Sequence, residues 1–149
     1  MKGWCHMKGW CLKGWCQVLS FAEQILDCCE QFPDLLRVPR PPSNIEHAWY
    51  KCYVFVRAEN LPDGWSRDRI IEEISSKCIP CFSGSCSEIY KEKAFDGTDF
   101  RPKTDFPVAK ELGETSLMFL VHPTLIQKEI DKTCEVITTV LSRLSNQVK

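Results

Sequence analysis

No apolar run among the 149 residues approaches the roughly 20 needed to cross a bilayer as a helix, which excludes a helical membrane span. The start also lacks the apolar stretch of about 7–15 residues that marks a secretory leader, because Lys and Gly interrupt it every few positions. There is no excess of either charge: 19 basic against 20 acidic residues leave a net −1, so electrostatics give no reason to expect a nucleic-acid or anionic-membrane partner. A cytoplasmic protein that binds neither is the expectation. Histidine is scarce, with only His6, His47 and His122. A G-x-S-x-G elbow and a Gly-rich strand-to-helix phosphate loop are both missing. Spacing alone therefore reveals no enzyme.

What is present is one domain's worth of chain, 44% hydrophobic and 26% charged, enough for a real core. Ten cysteines would suggest a disulfide framework in a small secreted chain. Without an export signal they read better as reduced thiols packing as small hydrophobes.

The pattern predicts a helix from Val18 through Cys29, with Phe21, Ala22, Ile25 and Leu26 on one face and Pro33 beyond its end. "LLRVPRPPSN" reads as a short extended segment followed by a stiff connection. "HAWYKCYVFVRAE" reads as a strand over His47–Arg57. Ala48, Tyr50, Cys52, Val54 and Val56 form its core face, and His47, Trp49, Lys51, Tyr53, Phe55 and Arg57 its outer face. Ser66 is placed to cap a helix running to about Lys77, with Trp65 and Ile70 as a staple and Ile70, Ile71 and Ile74 as its buried stripe. "CIPCF" is extended and leads into the loop "SGSCS"; "EIYKEKAF" suits a short helix or turn. Pro107 opens another helix, with Gly113 as its stop. "TSLMFLV" is a second strand. Thr124 and Gln127 have capping-box spacing before a long helix whose face is Ile126, Ile130, Cys134, Ile137, Leu141 and Leu144. Alternating helices and strands of this number predict an α+β, two-layer sandwich.

Two cysteine devices compete with plain packing. Cys78-x-x-Cys81, Cys86 and Cys134 have partly suitable spacing for zinc, but the second knuckle pair is missing. Cys78-Ile-Pro-Cys81 has the C-x-x-C form of a redox motif. It follows a helix, however, and so lacks the helix N-terminus that lowers a thiol pKa. "SGSCS" could hold an anion with its amides and hydroxyls, or be an ordinary turn.

Taken together, "LRVPRPP…EHAWYKCYVFVR", "GWSRDRIIEEISSKCIPCFSGSCSEIYKEKAFD" and "PVAKELGETSLMFLVHPTLIQKEIDKTCEVI" resemble the C-terminal small domain of the DegT/DnrJ/StrS aminotransferases, from about Ser20 to Asn146. The resemblance implies the small domain of the type I pyridoxal-phosphate (PLP) aminotransferase fold, in a family that aminates keto groups on nucleotide-linked sugars. It also implies that the Schiff-base Lys, the Asp facing the ring nitrogen and most phosphate contacts belong to a large domain not visible here. No catalytic residue is nominated, and PLP binding by this chain alone is not expected. By the same resemblance His47, Ser83, Ser85 and Tyr90 are candidate substrate contacts. The implied partner is a second copy or a separate large domain. Cys78 stands where the family usually has Gly, and Lys91 and Ile126 are also unusual.

The family has no counterpart to the opening "MKGWCHMKGWCLKGWC", in which Lys-Gly-Trp-Cys occurs three times. The expected division is a repeat extension over 1–16 and the family-like domain over 17–149. A truncated or rearranged gene whose product lacks independent catalysis, with a role in binding a partner or a sugar nucleotide, is the preferred reading. The alternatives are one subunit of a split aminotransferase and a thiol-rich metal module using Cys5, Cys11 and Cys16.

Overall fold

The computed structural model describes the backbone of residues 10–147 and the side chains of residues 16–147. The first helix, α1, spans Trp10–Cys29. Its Val18, Phe21, Ala22, Ile25, Leu26 and Cys29 are buried at the spacing expected of one helical face. The helix begins earlier than that stripe, and its backbone runs unbroken across residue 16. A methyl group on Gly14 would lie 3.5 Å from the Pro123 Cβ, so this turn of α1 lies against the segment before the last helix. The first two occurrences of the repeat, apart from Trp10 and Cys11 of the second, lie outside the described residues.

Four strands follow: β1 (Leu36–Arg37), β2 (Cys52–Val56), β3 (Cys81–Phe82) and β4 (Ser116–Phe119). They form one sheet in the order β1-β2-β4-β3 with every neighbouring pair antiparallel. Cys52 and Cys81 both pair with Phe119, from opposite sides. Helices α1, α2 (Arg67–Ser75) and α4 (Gln127–Ser145) share a core with Cys52, Val54, Val56, Leu117 and Phe119. The short helix α3 (Pro107–Thr115) contacts β2 and leads directly into β4. The result is the α+β architecture expected from the alternation of patterns.

Several local expectations are corrected. The strand expected over His47–Arg57 is confined to Cys52–Val56, because Trp49 has a φ of +44° and breaks the alternation. Trp49 turns into the core at 8% exposure, while Tyr50 stands 87% exposed, the reverse of the expected faces. Gly113 does not stop α3, which continues to Thr115; an added Cβ would collide with the Ser87 side chain, so the glycine permits a close approach. The Thr124–Gln127 box does not form. The N-cap is Ile126, whose N–H donates to Glu129 Oε2 at 2.9 Å, and Thr124 pairs instead with His122 Nδ1. Ile126 is 59% exposed rather than part of the buried face, and Val140 joins Ile130, Ile137, Leu141 and Leu144 in the core. "EIYKEKAF", by contrast, keeps to the expected short helix or turn, forming two 3-10 turns, Ile89–Lys91 and Lys93–Phe95.

Ser66 does cap α2, accepting from the Arg69 N–H at 3.2 Å, with Ile70 and Ile74 buried below. The last turn of α2 leads to Cys78, which has a φ of +61°. That is the left-handed conformation glycine adopts at low cost and a β-carbon resists.

Candidate functional site

The outer side of β2 and the loop after β3 meet in one cluster. Tyr53 points away from the core, as the alternation along β2 requires. Its hydroxyl accepts from the Ser85 N–H at 3.3 Å and lies 3.5 Å from Ser85 Oγ. Lys51 Nζ donates to the same Ser85 Oγ at 3.1 Å. The loop can close on Tyr53 only because residue 84 is glycine: its φ is +89°, and an added Cβ would overlap the tyrosine ring. Ser83 anchors the loop from the other side, its carbonyl accepting from Ser116 Oγ on β4.

Beside this cluster is a cavity of about 230 Å³. Pro39, Pro41 and Trp49 give it apolar walls, and Arg40, His47, Lys51 and Tyr53 place polar groups around it. His47 Nδ1 accepts from the Trp49 N–H at 2.9 Å, and the two rings lie 4.3 Å apart. A neutral His47 must therefore carry its proton on Nε2, which makes that nitrogen a donor. Arg40 is tied to Asp27 and Glu30 on α1, and it holds the Glu30 carboxyl below its usual range. Among the described residues no carboxylate lies within ion-pair distance of Lys51, whose ammonium bonds Ser85 and sits 5.6 Å from the centroid of the Tyr50 ring at the junction of cavity and loop.

Of the residues nominated from sequence, His47 lines the cavity, and Ser85 is joined to the cavity wall through Lys51 and Tyr53. Ser83 contributes structurally, through its carbonyl, and lines an open hollow of about 340 Å³ with the rest of its loop. The Tyr90 hydroxyl is already committed: it donates to Glu88 at 2.8 Å and accepts from the Phe106 N–H at 3.0 Å. Lys91 pairs with Glu88 and Asp105, and these carboxylates hold its ammonium above the usual lysine range. Lys51, Tyr53 and Arg40 were not nominated. The signal for the first two was their shared outer face on the strand.

Among the described residues no lysine environment fits PLP. The coenzyme needs a lysine whose amine can be neutral, held in a pocket with an anion site and an acid for the ring nitrogen. Lys51 is half-buried and bonded to Ser85; Lys77, Lys91, Lys93, Lys103, Lys110, Lys128 and Lys132 are all exposed. Nor are the zinc candidates gathered. Cys81 is buried in β3, Cys78 and Cys86 are exposed, and Cys134 is on α4; among the described residues no group of three or more potential ligands forms.

The fold that carries this cluster belongs to a known class, the α+β domain of aminotransferases. An aminotransferase from Psychrobacter cryohalolentis superposes with a TM-score of 0.85 and 49% identity, over 91% of this chain and 37% of that one. A DegT DnrJ EryC1 StrS aminotransferase from Brucella abortus matches with a TM-score of 0.61 and 20% identity, over 83% of this chain and 31% of that one. The sugar aminotransferase CalS13 from Micromonospora echinospora matches at 0.67 and 13%, over 84% and 30%. No protein-family model and no curated protein matches. The chain carries a domain of the DegT/DnrJ/StrS aminotransferase type, and it spans about a third of the length of these solved relatives.

Proposed function

We propose that this domain forms the substrate-facing rim of a nucleotide-sugar aminotransferase and does not transaminate alone. The observation that carries the reading is the 49% identity to an aminotransferase over 91% of the chain, combined with the absence of a PLP-competent lysine among the described residues. Lys51, Ser85 and Tyr53 offer a cation and hydroxyls to an oxygen-rich, anionic ligand. Trp49 and the two prolines offer apolar walls for a ring, and the His47 Nε2–H offers a donor. The carbonyl chemistry, when PLP is bound, is supplied by a large domain outside residues 10–147, which is the partner this reading requires.

The test is to titrate the chain with a nucleotide-linked keto sugar and follow chemical shifts of His47, Trp49, Lys51 and Tyr53. Weak, saturable shifts confined to this cluster are expected, and Lys51→Ala should weaken binding about tenfold, as loss of a charged hydrogen bond does. Shifts spread evenly over the surface, or unaffected by Lys51→Ala, would refute the assignment of this rim.

A further inference from the structure

His47 and Trp49 close a turn on the cavity wall, and the bond that closes it depends on the charge of the imidazole. The Trp49 N–H donates to His47 Nδ1 at 2.9 Å. Beside that bond the Trp49 backbone has a φ of +44°, a left-handed conformation that a bulky residue keeps only where its surroundings hold it there. The Trp49 side chain is packed into the core and walls the cavity, whereas His47 is exposed and open to protons from solvent. One hydrogen bond thus ties an accessible titratable ring to a strained backbone and a buried aromatic.

Histidine is the side chain that changes charge between about pH 5 and 8. The neutral ring has one bare nitrogen, here Nδ1; the imidazolium carries an N–H on both nitrogens and accepts nothing. A protonated His47 would set a second N–H against that of Trp49 at 2.9 Å, and turning the ring over restores no acceptor. Its charge would still attract the indole face, 4.3 Å away, but that contact leaves the backbone N–H unpaired. The surroundings add no counter-ion. Arg40 of the proline-rich connection and Lys51 and Tyr53 of β2 line the same cavity, and Arg40 is paired with Asp27 and Glu30 of α1. Glu30, held below its usual range by Arg40, stays ionised throughout this interval. Among the described residues no carboxylate lies within ion-pair distance of His47.

We propose that protonation of His47 opens this turn, frees the Trp49 backbone from its left-handed conformation and draws the indole out of the cavity wall, so that mild acid reshapes the rim. The sequence supplies the second arrangement. Period-two alternation runs back from β2 through His47, so an extended Trp49 backbone continues the strand, with Trp49 on its outer face and the now exposed Tyr50 on its core face. What this does to a ligand rests on the rim reading above. The release of Trp49 does not, and its test contains no ligand.

The full chain, isotope-labelled, is followed by NMR from about pH 7.5 down to about pH 5, with the His47 ring protons reporting its charge. Hydrogen exchange of the Trp49 N–H, corrected for its intrinsic pH dependence, should speed up about tenfold as the ring takes its proton, as loss of one hydrogen bond does. His47→Asn puts an amide oxygen in place of Nδ1, which accepts an N–H two residues on and does not titrate. This variant should keep Trp49 protected over the whole interval; if it fails to fold, the parent titration decides alone. The proposal is overturned if Trp49 exchange stays level while His47 is protonated, or if His47 remains neutral down to about pH 5. It is also overturned if His47→Asn opens in acid as the parent does, which would assign the effect to another group such as His122. Any of these failures leaves the rim reading standing, and a failure of sugar-nucleotide binding leaves the release of Trp49 standing.

Discussion

Cys78 shows how a single position can carry a legible cost. From the sequence it stands where the resembling family usually has glycine, and the structure places it at a φ of +61° just after α2. Cys78→Gly should therefore stabilise the domain by about 1 kcal/mol, measured as a higher urea midpoint with an unchanged slope. An unchanged or lower midpoint would mean that the thiol recovers the backbone cost elsewhere. Gly84 is the opposite case. It has a φ of +89° and the Tyr53 ring where a Cβ would go, so Gly84→Ala should destabilise by about 1–2 kcal/mol. The same change should disturb the Tyr53–Ser85 contact; a variant that melts like the parent and keeps the Tyr53 chemical shift would argue against this close packing. The strand alternation placed Tyr53 and Lys51 on one outer face, but the loop about thirty positions away that folds over them is not legible in that spacing.

The elements were legible where burial repeats regularly. The stripes of α1 and α4, the Ser66 cap and the strands at "YVFV" and "SLMF" follow from spacing and side-chain chemistry. Ser66→Ala should cost about 1 kcal/mol through the loss of its bond to the Arg69 N–H, read from thermal or urea unfolding. No measurable loss would show that water satisfies this helix end. The misreadings come from contacts that spacing does not encode. Period-two alternation continued back to His47 in the sequence, but His47 Nδ1 captures the Trp49 N–H and the left-handed Trp49 reverses the faces. At α4, Thr124 is drawn to His122, and Glu129 caps Ile126 instead. At Gly113 the glycine accommodates Ser87, a role that looks identical to a helix stop in sequence.

At the scale of the whole molecule, the order of helices and strands was enough to reach an α+β sandwich, and the resemblance of three long segments supplied the family. Of the nominated residues, His47 and Ser85 are brought together through Lys51 and Tyr53, while Tyr90 uses its hydroxyl to hold Glu88 and Phe106. Among the described residues no helix is long and apolar enough to cross a membrane. The domain matches about a third of each solved relative; under the proposed function it supplies the substrate rim and a large domain holds the coenzyme. The most direct test is a titration of the chain with PLP followed by visible circular dichroism, then an assay with glutamate and a keto-sugar nucleotide. It is run first alone and then with the large domain of the Psychrobacter relative added. The account predicts no saturable, chiral aldimine band and no turnover alone, with activity appearing only in the mixture. A one-to-one chiral band with turnover from the chain alone would contradict it.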